Sequence, residues 1–276
     1  MDAPLLQLRA PWSERAIVDR IAAGGPALVA LSGGVDSSLV AALVREGLGP
    51  ESVAVTLSGP AVARAEVDRA RRVAAVVGIE HVVVPVDPLA RAEYRANPVD
   101  RCFYCRSIES DALLVVGRER GVRQYLDGIH LDDLSDDRPG LRAMDAAGFA
   151  HPLAIGQWTK GDVRSAARER RLPNWDQPSD ACLASRVAHG DPISAELLDR
   201  IETGERWLLE HGFRRVRVRT KGSGARVEVG PDEVRRLAQE PLASELVRAL
   251  GDLGFAPVTI DPEGYGGART HRAEAA

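Results

Sequence analysis

The chain of 276 residues is 45% hydrophobic and 28% charged, an ordinary composition for a globular protein with one large and one smaller domain. Its formal net charge of −4 and pI near 5.9 argue against a nucleic-acid partner, and its apolar runs are too short for a membrane span. Three cysteines and an amino terminus without a long apolar core argue against a secreted disulfide protein, so we expect a cytoplasmic location.

Helix and strand patterns alternate through the first half of the chain. Apolar residues at helical spacing predict helices, and short apolar runs that end at turns predict buried strands. This alternation is typical of an α/β fold with an open parallel sheet and helices on both faces. The predicted helices span 13–23, 37–47, 63–78 and 106–120, and the predicted strands span 27–31, 52–57, 81–87 and 123–128.

The pattern changes near residue 190, where a smaller α+β unit is predicted. A long helix with Ser194 as its cap precedes a hairpin around the turn KGSG. We therefore expect an ATP-binding domain over 1–190 and a second domain over 191–276, ending in a disordered tail at 270–276. The predicted helices span 193–212, 231–238 and 242–253, and the predicted strands span 214–220, 225–230 and 256–260.

The strongest signal in the chain is ALVALSGGVDSSLVAAL, a buried strand that runs through a glycine turn into a helix. Two glycines let the backbone approach a ligand, and the helix start supplies N–H donors and a positive dipole end. Asp36 is expected to hold Mg²⁺ because a carboxylate does not favourably face phosphate unaided. The alternative is a tight turn without a ligand. The candidate ATP-binding residues are Ser32, Gly33, Gly34, Val35, Asp36, Ser37 and Ser38.

This loop resembles the SGGxDS pattern of the PP-loop family and lacks the GK[ST] of kinase-type loops. The resemblance implies that ATP is cleaved between its α and β phosphates, with adenylation of a co-substrate oxygen and release of pyrophosphate. The family includes GMP, NAD and asparagine synthetases and several tRNA thiolases. The motif therefore implies the activation step but leaves the substrate open.

The three cysteines form a CxxC pair, Cys102 and Cys105, and a single Cys182 in a polar loop. The pair is compatible with an iron–sulfur cluster, with a redox dithiol, or with zinc that takes a further ligand from a histidine. Cys182 is either a buried structural thiol or a functional thiolate stabilised by its polar neighbours. The candidate histidine ligands are His81, His130 and His189.

Most of the chain resembles the LarE family of PP-loop sulfur transferases, through LSGGVDSSLVA, NPVDRCFYCR, DGIHLDDLSDDRPGLRA, HPLAIGQWTKGDVRSAARERRLPNWDQPSDACLASR and VTIDPEGYGGA. The resemblance implies a substrate, pyridinium biscarboxylic acid mononucleotide, whose carboxylate is adenylated and then exchanges an oxygen for sulfur. The product serves the nickel-pincer nucleotide cofactor of lactate racemase. Family members also form rings, so a homo-oligomer, by analogy a hexamer, is expected.

The number of cysteines separates two branches of this family. Members with one cysteine, at the position of Cys182, give up its sulfur and retain dehydroalanine. With Cys102 and Cys105 this chain is similar to the branch that binds a [4Fe–4S] cluster. Three thiolates there hold three irons and leave the fourth open for a sulfide, which a separate sulfide donor replaces.

Arginines alternate with valines in FRRVRVRT, so Arg215, Arg217 and Arg219 are predicted to leave one face of a strand. Such charges repel unless an anion or a carboxylate such as Glu228 neutralises them. A solvated edge strand is the alternative. The resemblance implies that Arg217 and Arg219 bind the carboxylates and phosphate of the substrate.

An acidic run at 127–137 is mostly typical of a solvated loop, but Asp133 is expected to face Mg²⁺ or nucleotide, and Arg138 to contact phosphate. Here the chain has Ile129-His130 where the family more often has Thr-Asn, and it lacks a basic residue at 266.

Two rival functions stay open: a tRNA thiolase with an Fe–S cluster, and a non-catalytic module that binds nucleotide and cluster.

Overall fold

The computed structural model describes residues 11–135, 139–178 and 181–265. Within them the strands are β1 (Ala27–Ala30), β2 (Ser52–Ser58), β3 (Glu80–Pro85), β4 (Gln124–Leu126), β5 (Val216–Lys221), β6 (Gly224–Val229) and β7 (Val258–Ile260). The helices are α1 (Glu14–Gly24), α2 (Val35–Leu48), α3 (Arg64–Val77), α4 (Ala92–Arg95), α5 (Arg101–Glu119), α6 (Pro139–Ala146), α7 (Pro152–Ile155), α8 (Lys160–Glu169), α9 (Ala195–Glu210), α10 (Val234–Leu237) and α11 (Leu242–Asp252). Short 3-10 helices span Gly49–Glu51, Pro88–Ala90, Leu131–Ser135 and Leu183–Arg186.

Four parallel strands form the larger sheet, in the order β3-β2-β1-β4. Ala27 of the central strand β1 pairs with Ser52 of β2 on one side and Gln124 of β4 on the other. The predicted open parallel sheet is therefore confirmed. Because the carboxyl ends of parallel strands meet at one edge, the residues that follow β1 and β4 share the edge where such folds bind ligands.

Both faces of this sheet are covered by helices, as predicted. Val29 of β1 packs in a core built with α1, α2 and α8, whereas its neighbour Leu28 packs on the opposite face with Leu113 of α5 and Met144 of α6. Successive strand residues point to opposite faces, so an unbroken apolar strand fills two cores.

The smaller sheet has the order β5-β6-β7, with β5 and β6 antiparallel as in the predicted hairpin. Its core joins Val218 and Val227 of the hairpin to Ile201 of α9 and Leu250 of α11. The predicted cap of α9 is also present, because the Ser194 hydroxyl accepts the Leu197 amide at 3.1 Å.

Backbone contacts divide the chain into two compact units of three segments each. The first unit comprises Met1–Ser58, Arg64–Val86 and Arg106–Gln177, and the second comprises Gly59–Ala63, Asp87–Cys105 and Pro178–Ala276. Residues 87–105 and 178–190 thus group with the carboxyl-terminal segment. The domain boundary after residue 190 stays a prediction.

Several predicted bounds differ from the structure. The helix predicted from residue 106 begins at Arg101. The sequence did not predict this start because the cysteines and aromatic residues in the first two turns give no apolar period. The arginine strand begins at Val216, which leaves Arg215 outside it and exposed. Helices α6 to α8 lie where no element was predicted, and the predicted helix 231–238 shortens to Val234–Leu237. The predicted disordered tail lies outside the described residues. Among the residues that the structure does describe, no helix has the length and apolarity to cross a membrane.

Candidate functional site

The glycine loop of the first unit forms the expected turn from β1 into α2. Gly33 has φ +83°, and a Cβ there would lie 2.6 Å from the Glu66 carbonyl oxygen, so only glycine fits without strain. The Ser37 and Ser38 hydroxyls donate to the Gly34 carbonyl at 3.2 and 2.7 Å. The serines thereby shape the loop, while the first turn of α2 presents its N–H groups at the sheet edge.

Asn174 fixes this loop from the side, a role that the sequence pattern did not indicate. Its side-chain amide donates to the Gly33 carbonyl at 2.8 Å and to the Ser38 hydroxyl at 2.9 Å, and the residue is buried. Arg69 donates to the same Gly33 carbonyl at 3.1 Å. The loop is therefore held in shape by the protein itself, as an anion site needs.

Asp36 lies at the start of α2 and is paired with Lys160, which was not among the predicted site residues. The Lys160 ammonium lies 2.6 and 2.5 Å from the two carboxylate oxygens. Thr159 and Asp162 form a capping box that places Lys160 at the first position of α8. A compositional signal existed, since only Lys160 and Lys221 are lysines among 36 basic residues. Arginine and lysine are not interchangeable, so a lysine in a chain whose cations are almost all arginine is informative.

Asp133, in the acidic run, lies near Asp36, because His130 approaches both carboxylates. The His130 Nε2 atom lies 3.4 Å from Asp133 and 3.9 Å from Asp36, and the Nδ1 atom of this buried histidine has no hydrogen-bond partner among the described residues. This residue departs from the Thr-Asn of the family, yet its side chain reaches the site. The other predicted contact, Arg138, lies outside the described residues, as do Asp136 and Asp137.

The turn after β4 packs against the loop and is held by a buried histidine. A Cβ on Gly128 would collide with the backbone of Asp36 and Ser37, so glycine is required at this close approach. His151 bonds Asp127 at 2.7 Å and Asp145 at 2.8 Å. Burial alone would lower the pKa of His151, but hydrogen bonds and charge, first from Asp127 and then from Asp145, raise it to about 9.

All three cysteines belong to the second unit. Cys102 is exposed and Cys105 half-buried in the first two turns of α5, and their spacing of three residues puts them on one side of the helix. The half-buried Cys182 precedes the 3-10 helix Leu183–Arg186. Burial raises the pKa of the Cys182 thiol, nearby Arg101 opposes this rise, and the adjacent Cys102 adds to it. Cys102 and Cys182, 80 positions apart in the sequence, are thus electrostatic neighbours.

Two buried residues hold the cysteine segments in place. Asn97 donates to the carbonyls of Ala188 and Asp191 at 2.8 and 3.0 Å, which ties the segment before Cys102 to the segment after Cys182. Arg186 donates to the carbonyl oxygens of Ala181 and Cys182.

Arg186 is itself held by a buried ion pair. Its guanidinium meets both carboxylate oxygens of Glu205 on α9, at 2.9 and 3.1 Å, and the Val218 amide also donates to Glu205 at 3.0 Å. This two-point geometry fixes the guanidinium plane and so the loop of Cys182. Neither Asn97 nor the partner Glu205 was predicted, because both act across long sequence separations.

One face of the hairpin, here called the arginine face, carries Arg217 and Arg219 on β5 and Arg226 and Glu228 on β6. Its residues range from buried to exposed. Arg217 is 6% exposed and lies over the Tyr265 ring at 4.6 Å, while Arg219 donates to Glu228 at 2.7 Å. Glu228 also accepts from Arg226 at 3.1 Å, and its second oxygen is buried with no hydrogen-bond partner among the described residues. Among the described residues, the three arginines of this face outnumber the two carboxylates that pair with them, Glu228 and Asp261, and this excess suits an anionic ligand.

The cysteines of the second unit and the carboxylates near the glycine loop suit different metals. In the described part of the chain, no three His, Cys, Asp or Glu side chains are arranged to hold one metal ion. This gives no support to zinc at the cysteines. Magnesium usually takes only one or two carboxylates plus phosphate oxygens, so Asp36 and Asp133 fit it. A four-iron cluster separates its thiolates more widely than one ion does, and the donor set of three cysteines fits it.

Known proteins resemble the chain along most of its length. The asparagine synthase family model matches residues 14–107, which include the glycine loop. An uncharacterized protein of Synechocystis is 38% identical over 89% of this chain and 92% of the relative. The tRNA-specific 2-thiouridylase MnmA of Desulforamulus reducens is 30% identical over 55% of this chain and 52% of its own.

One relative carries a functional name and spans both units. Pyridinium-3,5-bisthiocarboxylic acid mononucleotide synthase of Lactiplantibacillus plantarum is 31% identical over 239 residues, which cover 86% of each chain. The thiouridylase match, by contrast, covers only about half of each chain. The protein therefore belongs to the LarE family of PP-loop, ATP-dependent sulfur transferases.

Proposed function

We propose that this sulfur transferase adenylates a carboxylate of pyridinium biscarboxylic acid mononucleotide and replaces one of its oxygens with sulfur, for the nickel-pincer nucleotide cofactor. The observation that carries the proposal is the combination, in a chain related to the L. plantarum synthase along 86% of its length, of an SGGVDS loop with three cysteines grouped in one unit. We further propose a cytoplasmic homo-oligomer, by analogy a hexamer, with domains over 1–190 and 191–276.

The activation step would use the glycine loop. A carboxylate oxygen of the substrate attacks the α-phosphorus of ATP, the bond to the bridging oxygen breaks, and pyrophosphate leaves with the electron pair. The N–H groups at the start of α2 and the Lys160 ammonium stabilise the phosphate charge, and Mg²⁺ would be held by Asp36 and Asp133. The remaining loop contacts come from Ser32, Gly33, Gly34, Val35, Ser37 and Ser38.

The transfer step would use the cysteine region. A sulfide equivalent bonds to the activated carbonyl carbon, the bond from that carbon to the AMP oxygen breaks, and AMP leaves with one carboxylate oxygen. Cys102, Cys105 and Cys182 would hold a [4Fe–4S] cluster, which would supply replaceable sulfide when bound. With an external sulfide donor the protein would act more than once, unlike a member that consumes its single cysteine.

Substrate binding is assigned to the arginine face. Arg217 and Arg219 present guanidinium groups that match carboxylate and phosphate oxygens, and Glu228 orients Arg219 through the 2.7 Å ion pair. The buried second oxygen of Glu228 is an acceptor suited to a ribose hydroxyl of the mononucleotide. These contacts position the substrate, and positioning contributes much of the rate in such reactions.

An anaerobic preparation tests both halves of the proposal. Iron, acid-labile sulfide and visible absorbance report the cluster, and substrate-dependent release of pyrophosphate with a thiocarboxylate product reports the reaction. Binding of ATP without pyrophosphate release would favour a non-catalytic module instead. Salt-sensitive binding and thiolation of tRNA, without reaction of the mononucleotide, would favour the tRNA thiolase.

A further inference from the structure

Two buried arginines, Arg101 and Arg186, belong to the cysteine region of the second unit, and they differ in how their charge is balanced. Arg101 is 5% exposed and Arg186 is 4% exposed, and both act electrostatically on Cys182. Arg186 makes a two-point ion pair with Glu205 at 2.9 and 3.1 Å. Across the described ranges, by contrast, no carboxylate lies within ion-pairing distance of Arg101.

The one hydrogen-bond acceptor of Arg101 in the described structure is a neutral amide. Its guanidinium donates to the side-chain oxygen of Asn97. The orientation of that amide is fixed, because its nitrogen donates to the carbonyls of Ala188 and Asp191 at 2.8 and 3.0 Å. Asn97 therefore aims Arg101 without neutralising it.

A buried charge without a counter-ion is strongly unfavourable, so its retention calls for an anion that joins it. Arg101 begins α5, whose amino-terminal dipole adds positive potential around Cys102 in the first turn. Arg101 and the start of α5 thus add positive potential in the region of Cys102 and Cys182, which suits negative charge. The thiolates of an iron–sulfur cluster outweigh the positive charge of its core, and each added electron or sulfide makes the group more anionic.

We propose that Arg101 is the counter-ion of the anionic iron–sulfur group at Cys102, Cys105 and Cys182, and that Asn97 positions it for this task. This inference rests on the proposed function. The ligand completes an ion pair for which the described residues supply only the cation, whereas Arg186 already pairs with Glu205 and holds the loop. Arg101 should therefore weaken the protein without the cluster and strengthen it with the cluster.

The test compares Arg101→Met, Arg101→Lys and Arg118→Met, the last a matched control that removes an exposed charge from the same helix. Without the cluster, Arg101→Met is expected to melt at or above the temperature of the wild type, because it removes an unbalanced buried charge. After anaerobic reconstitution it is expected to hold severalfold less iron and sulfide, and its residual cluster to have a more negative reduction potential. Arg101→Lys keeps the charge and should stay near the wild type, as should Arg118→Met.

Other outcomes overturn the inference. A cluster-free Arg101→Met that melts well below the wild type indicates an ordinary structural arginine. The same conclusion follows if the iron and sulfide content of Arg101→Met and the reduction potential of its cluster match those of Arg118→Met. A wild-type protein that takes up no iron overturns the cluster itself, and this failure of the proposed function is recognised before any variant is compared.

Discussion

The glycine loop of the first unit spans seven consecutive residues, Ser32 to Ser38, whereas the cysteine region of the second unit joins segments from residue 97 to residue 205. In the loop, the same short stretch supplies the glycine turn, the hydroxyls that shape it and the helix start. In the cysteine region, the thiols come from two segments, and buried side chains from further segments hold them. The glycine loop is therefore a local motif, whereas the cysteine region depends on contacts between residues that are distant in the sequence.

The largest effect is expected from Cys182→Ala. This variant should lose sulfur transfer completely but keep ATP binding, because Cys182 and the glycine loop belong to different compact units. Thiocarboxylate formation and the dissociation constant for ATP measure the two properties separately. A variant that also fails to bind ATP would contradict the separation of the two regions.

The buried ion pair of Arg186 and Glu205 tests how strongly the cysteine region depends on distant residues. Glu205→Gln should lower the free energy of unfolding by about 3–5 kcal/mol, because it leaves a buried guanidinium uncompensated. Urea denaturation measures this change. Asp68→Asn, in an exposed pair with Arg71, is the control and should change stability by less than about 1 kcal/mol. An equally small effect of Glu205→Gln would mean that the pair does not hold the loop.

Near the glycine loop, substitutions of Lys160 distinguish the effect of its positive charge from the effect of its shape. Lys160→Met should slow pyrophosphate release by about 10²-fold, because an ammonium group at the phosphates is lost. Lys160→Arg should recover only part of this rate, since the planar guanidinium does not fit a point-charge position. Lys221→Met, at the exposed end of β5, removes the other lysine as a control. Pyrophosphate release at the wild-type rate in Lys160→Met would remove Lys160 from the site.

How far the sequence predicts each region follows from how local its interactions are. The parallel sheet, the hairpin and the Ser194 cap were predicted, because apolar period and capping act over a few residues. Asn97 and Glu205 were not, because their partners lie many residues away and no spacing rule connects them. The start of α5 was missed since cysteines there replace the usual apolar stripe. His130 departs from the residue that the family more often has, and the sequence did not predict its approach to Asp36. That approach depends on how the turn after β4 folds back toward the glycine loop.

The smallest effect is expected at His151, which bonds Asp127 in the turn that packs against the glycine loop. Its pKa of about 9 lies above the ordinary 6.5, so the protonated ring contributes stability that is complete below pH 6.5 and is lost as the pH rises through 9. His151→Gln should therefore lower the free energy of unfolding by about 1–2 kcal/mol at pH 7 and by little above pH 10. The value at pH 7 is smaller than the full pKa difference implies, because solvent screens the charges of this partly exposed group. Urea titrations of both proteins from pH 6 to 10 measure this difference. A difference that does not change with pH would show that packing, and not the charge between Asp127 and Asp145, gives His151 its role.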